Sequence, residues 1–332
     1  MSPARPRAAV ATTLRTLLAA TALVAVSGAC VHRKVTPAGD EHAGHAMGAM
    51  GAMGAMGATA GAASVGAASI GTDRSLPADA NNAAARIAAS PRHGEWVTIP
   101  VAGGTDSVRA WVVYPERSTK APVVLVIHEI FGLTTWVRAV ADQLAAEGFI
   151  AIAPDFLTGK HLPMAPDAFM TTPGGVDSAV AVISTLDRGE FLRRVDAAAR
   201  YATALPSATG KWGVVGFCWG GSMSFLTAAS FPTLGAAVPY YGGVTKERVG
   251  DVSHTRAPVL AMYGENDARV NMTIPAVDTA LRAAGTRFEP HVFPGAGHGF
   301  LRQQDGQNGA NAAATRASWP LTVAWFKQYL GT

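Results

Sequence analysis

The stretch GFCWGG, residues 216–221, decides the fold that this chain can adopt. The apolar run Trp212–Val215 precedes it and the small-residue amphipathic run Ser222–Ser230 follows it. The pattern therefore predicts a strand, a sharp turn and a helix. Cys218 stands at the apex of the turn, at the position that serine occupies in a G-x-S-x-G nucleophile elbow. Glycines surround it because so tight a turn leaves no room for Cβ atoms beside the nucleophile.

The sequence allows two interpretations of Cys218. Free cysteines are often small buried hydrophobes with no chemical role. Alternatively, the elbow holds the sulfur above the sheet edge, at a helix N-terminus whose dipole favours thiolate. The chain has 2 cysteines, and the other is Cys30, so no disulfide framework is expected. A lone thiol in an exported protein risks oxidation, which favours a chemical role.

Residues 1–30 have the features of an export signal. Arg5, Arg7 and Arg15 form a positive region, and Leu17–Val26 is an apolar run too short to span a membrane. Small residues precede Cys30, so cleavage could leave a lipidated cysteine or release a plain secreted protein. We expect an exported protein of the cell envelope or periplasm, or a secreted one, with membrane attachment through Cys30 in the lipoprotein case.

Residues 31–90 form a low-complexity segment rich in Ala, Gly, Met and Ser. Without a sustained apolar face, the backbone entropy of such a segment opposes folding, and we predict a disordered, flexible tether. A second hypothesis is copper binding, because thioethers suit Cu(I). Its candidate ligands are His42, His45, Met47, Met50, Met53 and Met56. Glycine-rich repeats are common in linkers, which favours the tether.

Residues 91–332 alternate between strand and helix patterns. An antiparallel hairpin is predicted from Trp96–Pro100 and Val108–Tyr114, and Val123–His128 is apolar throughout, as a strand buried on both faces requires. Ser178–Leu205 is predicted to be helical, with a break at Gly189. Alternating elements of this kind predict one α/β domain with a mostly parallel central sheet and helices on both faces.

The charge of the chain excludes one class of partner. The formal net charge is +4, and removal of the signal arginines brings the folded part close to neutrality. No cluster of Lys and Arg suggests a nucleic-acid surface. The sequence also gives no basis for a cofactor or a metal at the predicted site.

A cysteine nucleophile needs a base, and the base needs an acid to orient it. In this fold the chain order is nucleophile, acid, base. Asp267 follows the predicted strand Val259–Tyr263, and His298 lies in a glycine-rich loop after the last predicted strand. Glu265 competes with Asp267 for the role of the acid. A surface position for His298 is the alternative interpretation.

Glu129 follows the buried strand Val123–His128, where a charge is costly unless it is paired or lies in a site. It could belong to the site or cap the following helix, and the sequence supports the two equally. The backbone N–H groups of Ile130 and Trp219 are candidate oxyanion donors, one from each loop beside the nucleophile.

These segments together resemble the dienelactone hydrolase family of α/β-hydrolases, from about Trp96 to the C-terminus. The motifs that carry the resemblance are HEIFG at 128–132, APD at 153–155, GFCWGG at 216–221, AAVPYYG at 236–242, GEND at 264–267 and GHGF at 297–300. The resemblance implies a Cys218, Asp267 and His298 triad. It also implies that Glu129 hydrogen-bonds the resting thiol and helps to deprotonate it when substrate arrives.

The resemblance further implies two arginines that hold a substrate carboxylate. Arg302 matches one of them, but Gly159 stands where the family has the other, and the neighbouring Lys160 offers a point charge without a bidentate fork. We therefore expect a hydrolase of small-molecule ester or lactone bonds that forms an acyl-thiol intermediate. The alternatives are a generalist exported carboxylesterase without anionic preference, and an envelope metal-binding lipoprotein with an inert hydrolase-like domain.

Overall fold

The computed structural model describes residues 73–331. The export signal, the lipidation of Cys30 and the copper site lie outside these residues and stay predictions. Within the described part, none of the helices has the length and the apolar character that a bilayer crossing requires.

One eight-stranded sheet forms the centre of the domain. Its strands are β1 (Gly94–Pro100), β2 (Ser107–Val113), β3 (Ala121–Ile127), β4 (Ile150–Asp155), β5 (Ala208–Phe217), β6 (Ala236–Tyr240), β7 (Val259–Gly264) and β8 (Phe288–Phe293). Their spatial order is β1-β2-β4-β3-β5-β6-β7-β8. The pairs β1–β2 and β2–β4 are antiparallel and all others are parallel, which confirms the predicted hairpin and the mostly parallel sheet.

Helices cover both faces of this sheet. They are α1 (Ala83–Ala88), α2 (Thr135–Ala146), α3 (Gly175–Ile183), α4 (Arg188–Thr203), α5 (Trp219–Ser230), α6 (Ala268–Asn271), α7 (Ile274–Ala283) and α8 (Ala310–Leu330). Successive side chains of a strand point to opposite faces. Val124 and Val126 therefore pack in one core with α2 and α8, whereas Val123 and Leu125 pack in the other with α4, α5 and α7.

The register of the parallel strands brings their carboxyl ends to one edge. Ile127 lies opposite Gly216, Phe217 opposite Tyr240, and Gly264 opposite Phe293. The loops after β3, β5, β6, β7 and β8 therefore meet at this edge, which is where open α/β sheets bind ligands.

The structure differs from the predicted tether over residues 73–90. Leu76, Ala78 and Ala83 are buried in the domain core, and α1 packs beside α2. The indole N–H of Trp136 donates to the carbonyl of Ala78 at 3.0 Å. Residues 73–90 show no periodic apolar pattern in the sequence. Their composition resembles that of the preceding low-complexity segment, so the sequence predicts a tether there.

The predicted helix Ser178–Leu205 is two helices, and the break lies at residues 184–187 rather than at Gly189. Asp187 is the N-cap of α4, and its carboxylate accepts from the backbone N–H of Glu190 at 2.8 Å. Gly189 lies inside the first turn of α4. The capping carboxylate, and not the glycine, sets the boundary.

Candidate active site

Cys218 occupies a strained turn between β5 and α5. Its φ of 57° and ψ of −115° place a non-glycine residue in a region that L-amino acids rarely adopt. Such a conformation costs on the order of 1–3 kcal/mol and persists where the surroundings enforce it. Its backbone N–H donates to the carbonyl of Tyr240 at 3.1 Å, and its carbonyl accepts from Ser222 at 3.2 Å.

Two glycines are required for the close approach around the elbow. A Cβ on Gly216 would collide with the carbonyl of Gly220, and a Cβ on Gly220 would collide with the backbone carbonyls of Ile127 and His128. The helix α5 therefore begins pressed against the end of β3. Any larger residue at these positions would have to move the backbone that carries Cys218.

The histidine after β8 and the aspartate after β7 are joined directly. The Nδ1 atom of His298 lies 2.5 Å from Oδ2 of Asp267, whose side chain is buried, while the His298 side chain is 31% exposed. Burial alone would lower the pKa of His298, but the hydrogen bond to Asp267 and the interaction with the Cys218 thiol outweigh it. The net effect raises the pKa of His298 to about 10.

Glu265, the competing acid, is exposed and does not pair with His298. Its carboxylate accepts from the backbone N–H of Gly295 at 2.8 Å. It therefore braces the loop between β8 and His298. Of the two candidate acids, Asp267 and not Glu265 therefore pairs with His298.

Glu129 is buried at the end of β3 and forms an ion pair with Arg302, whose Nε lies 2.7 Å from its Oε2. The pair lacks a well-directed hydrogen bond. Burial raises the pKa of Glu129, and the positive charge of Arg302 only partly offsets this. Glu129 does not cap the following helix, because the N-cap of α2 is Thr134, whose hydroxyl accepts from Val137 at 3.4 Å.

The implied contact between Glu129 and the resting thiol is not the one that the structure shows. Among the described residues, the charged partner of Glu129 is Arg302. Arg302 is thus engaged by a buried carboxylate, and its side chain is only 11% exposed. Lys160 is also paired, with Glu190 of α4 at 2.8 Å. Both cations of the predicted carboxylate clamp, Arg302 and Lys160, are therefore already paired with carboxylates of the protein.

The two predicted oxyanion donors, Ile130 and Trp219, follow the ends of β3 and β5 along the chain. Trp219 is the first residue of α5, and the N–H groups of a first helical turn have no intrahelical acceptor. Ile130 lies in the loop after β3. Within residues 73–331, neither backbone N–H donates a hydrogen bond to another backbone group.

No sequence pattern predicts a role for Tyr241. It follows β6 with a φ of 38°, is fully buried, and has no partner for its hydroxyl among the described residues. Its ring lies edge-on to that of His298, with 5.1 Å between the centroids. Burial raises the pKa of Tyr241 well above its ordinary value, so it stays a protonated donor. The sequence feature that could have indicated its place in the site is a bulky polar residue directly after a parallel strand.

No group of three or more His, Cys, Asp or Glu side chains within residues 73–331 converges as metal ligands do.

Comparison with known proteins identifies the family and the fold of the chain. The dienelactone hydrolase family model matches residues 108–330. A "Putative carboxymethylenebutenolidase" of Escherichia coli (strain K12) is 34% identical over 248 residues, which cover 71% of this chain and 87% of the relative. The crystal structure of a "Putative Dienelactone Hydrolase" from Klebsiella pneumoniae is 30% identical, with a TM-score of 0.63, and the match covers 72% of this chain and 99% of that one.

A dienelactone hydrolase-like promiscuous phosphotriesterase from metagenomic libraries is 27% identical, with a TM-score of 0.59, and covers 72% of this chain and 98% of its own. The fold and the elbow thus define an α/β-hydrolase. More narrowly, the chain belongs to the dienelactone hydrolase family, whose members are hydrolases that act on ester or lactone bonds.

Proposed function

We propose that this protein hydrolyses ester or lactone bonds through a covalent acyl-thiol intermediate, with Cys218 as nucleophile, His298 as base and acid, and Asp267 as its orienting acid. The observation that carries the proposal is the 2.5 Å contact between His298 and Asp267, with the same imidazole interacting with the thiol on the elbow. This combination matches the nucleophile, base and orienter arrangement of covalent hydrolases.

The proposed acylation begins when His298 holds the thiol proton and the sulfur attacks the carbonyl carbon. A C–S bond forms, and the carbonyl electron pair moves to the oxygen, which accepts from the N–H groups of Ile130 and Trp219. When the tetrahedral intermediate collapses, the C–O bond breaks and the leaving oxygen takes the proton from His298. The acyl group then remains on Cys218 as a thioester.

Deacylation repeats the steps with water. His298 removes a proton from the water as its oxygen attacks the thioester carbon, and the same two N–H groups stabilise the second oxyanion. Collapse breaks the C–S bond, and the proton returns from His298 to the sulfur. The products are a carboxylic acid and the free enzyme, so the cycle consumes one water and needs no redox partner.

A second candidate is a generalist carboxylesterase without preference for anionic substrates. The observation that favours it is the pairing of both candidate cations, Arg302 with Glu129 and Lys160 with Glu190. A substrate carboxylate would have to displace Glu129 to reach Arg302, and a buried carboxylate left unpaired is costly. A neutral ester would leave the pair intact.

The proposal is tested with a small aryl ester and the variant Cys218→Ala. We expect hydrolysis to fall to the level of the uncatalysed reaction, and mass spectrometry of the quenched wild-type enzyme to show an acyl group on Cys218. Cys30→Ala, which changes the only other cysteine, is the matched control and should keep full activity. Equal rates for the wild type and Cys218→Ala would refute the covalent mechanism.

A further inference from the structure

His128 lies beside the triad and has no role in the mechanism above. It is fully buried at the end of β3. Its Nδ1 atom is 2.6 Å from the carbonyl oxygen of Glu129, and its Nε2 atom accepts from the backbone N–H of Phe156 at 3.0 Å. A carbonyl can only accept and an amide N–H can only donate, so the ring is neutral with its proton on Nδ1. Burial, which lowers the pKa of His128, acts in the same direction.

This hydrogen bond fixes the peptide unit between Glu129 and Ile130. Its carbonyl also accepts from the N–H of Gly132 at 3.4 Å. The described chain has no cis peptide bonds, and in a planar trans peptide the C=O and N–H groups point in opposite directions. By holding the carbonyl, His128 therefore fixes the direction in which the Ile130 N–H points.

The face of the same ring supports the other oxyanion donor. The imidazole of His128 is stacked on the indole of Trp219, with centroids 5.6 Å apart and an interplanar angle of 22°. Phe156 packs edge-on against the imidazole at 5.4 Å. One buried ring thus contacts the β3 loop through its edge and the first residue of α5 through its face.

Phe156 is itself held from its other side. Its carbonyl accepts from the guanidinium of Arg194 at 2.7 Å, and Arg194 is paired with Asp106 and Glu190 at 3.0 Å each. Phe156, whose backbone N–H donates to His128, is therefore held in place by an ionic network centred on the buried Arg194. This support keeps the imidazole in one tautomer and one orientation.

We propose that His128 is a positioning residue for the oxyanion site, acting through the Glu129–Ile130 peptide and the Trp219 ring. The inference rests on the proposed function, because it assigns the two N–H groups to a developing oxyanion. Such donors contribute only when their direction matches the transition state. Losing the hydrogen bonds of His128 should therefore lower kcat and leave KM nearly unchanged.

The experiment compares two substitutions with a surface control. His128→Phe keeps an aromatic face for Trp219 but removes both hydrogen bonds. His128→Gln retains one donor and one acceptor on its amide. We expect kcat on a small aryl ester to fall about 10–100-fold in His128→Phe, less than the roughly 10²–10³-fold of a deleted donor, with substantial recovery in His128→Gln. The exposed His254→Phe should match the wild type.

Thermal unfolding and the rate of Cys218 alkylation are measured on each variant. A purely structural role would lower the melting temperature without lowering kcat per alkylatable thiol, and that result would overturn the proposal. If His128→Phe does not fold, nitrogen NMR of the wild-type histidines decides, because a proton on Nε2 of His128 at neutral pH contradicts the inference. Wild-type activity that survives Cys218→Ala would refute the proposed function itself, whereas Cys218-dependent activity unchanged in His128→Phe refutes only this inference.

Discussion

Two histidines lie in this site, and their environments act in opposite directions. His298 is 31% exposed, pairs with a carboxylate and interacts with the thiol, and its pKa is raised to about 10. His128 is fully buried, its hydrogen bonds are to backbone groups, and its pKa is lowered by burial. The same side chain is thus set up to carry a proton at one position and to stay neutral at the other.

The contrast shows how one sheet edge can hold the proton-transfer groups and the backbone N–H donors in two separate environments. The loops after β7 and β8 hold the proton-transfer groups, with charge and partial access to solvent. The loop after β3 and the start of α5 hold the backbone donors, surrounded by aromatic rings. A fixed, hydrogen-bonded environment suits dipoles that must not reorganise, whereas a proton carrier needs a charged partner.

Removal of the proton carrier should give the largest effect. We expect His298→Ala to lower kcat/KM for an aryl ester by about 10⁴-fold, because general acid–base catalysis and activation of the thiol are lost together. His291→Ala, a histidine on β8 that stacks on Phe293, is the control and should retain activity. A loss below about tenfold in His298→Ala would contradict the division between the two histidines.

Removal of a single backbone donor should give the next effect. Trp219 is at the first position of α5, and proline is unsuitable there because it would force the strained Cys218 out of its conformation. An ester in place of the Cys218–Trp219 peptide bond, introduced with the α-hydroxy analogue of tryptophan, deletes the N–H and keeps the ring. We expect kcat to be roughly 10²–10³-fold lower in this ester variant than in the wild type. Single-turnover acylation rates measure the difference in properly folded protein. Similar rates in the two proteins would mean that this N–H does not bind the oxyanion.

The Glu129–Arg302 pair allows a third test, on substrate charge. Because Arg302 is already paired, we expect kcat/KM values for two lactones that differ only by a carboxylate to agree within about tenfold, equivalent to about 1.4 kcal/mol. The ratio is measured for the wild type, Arg302→Lys and the exposed control Arg287→Lys. A preference of about a hundredfold that disappears in Arg302→Lys would instead favour a carboxylate-recognising enzyme.

The smallest effect concerns the pH dependence of stability. The native state holds the proton of His298 more tightly than the ordinary value of 6.5, so its contribution is complete below that value and is lost as the pH rises towards about 10. For His128 the native pKa lies below 6.5, so its contribution is present above that value and is lost on the acid side.

Urea unfolding measured at a series of pH values separates the alkaline decline in stability from the acid decline. We expect His298→Gln to flatten the alkaline decline in the free energy of unfolding, and His128→Gln to flatten the acid decline. Each variant serves as the control for the other. If both substitutions flattened the same decline, acid or alkaline, the opposite environments assigned to the two histidines would be wrong.

Much of the site could be predicted from sequence because it is local. The strand, turn and helix around Cys218 depend on neighbouring residues, and the glycines report directly on the close approach of the backbone. The position of Asp267 and His298 after successive strands followed from the same kind of pattern. The choice of Asp267 over Glu265 did not, because both acids follow β7 and only the packed loops bring one of them to His298.

The sequence by itself determined the α/β order, the buried strand β3, the elbow and the residues available for chemistry, since each depends on the periodicity and conformational preferences of short segments. Only the tertiary structure decided that residues 73–90 pack on the domain, that Arg302 pairs with Glu129, and that His128 is neutral between two backbone groups. Each of those outcomes depends on at least one contact between residues far apart in the chain, such as Glu129 with Arg302 and His128 with Phe156. Their energies depend on burial and on the direction of hydrogen bonds, which no local pattern records.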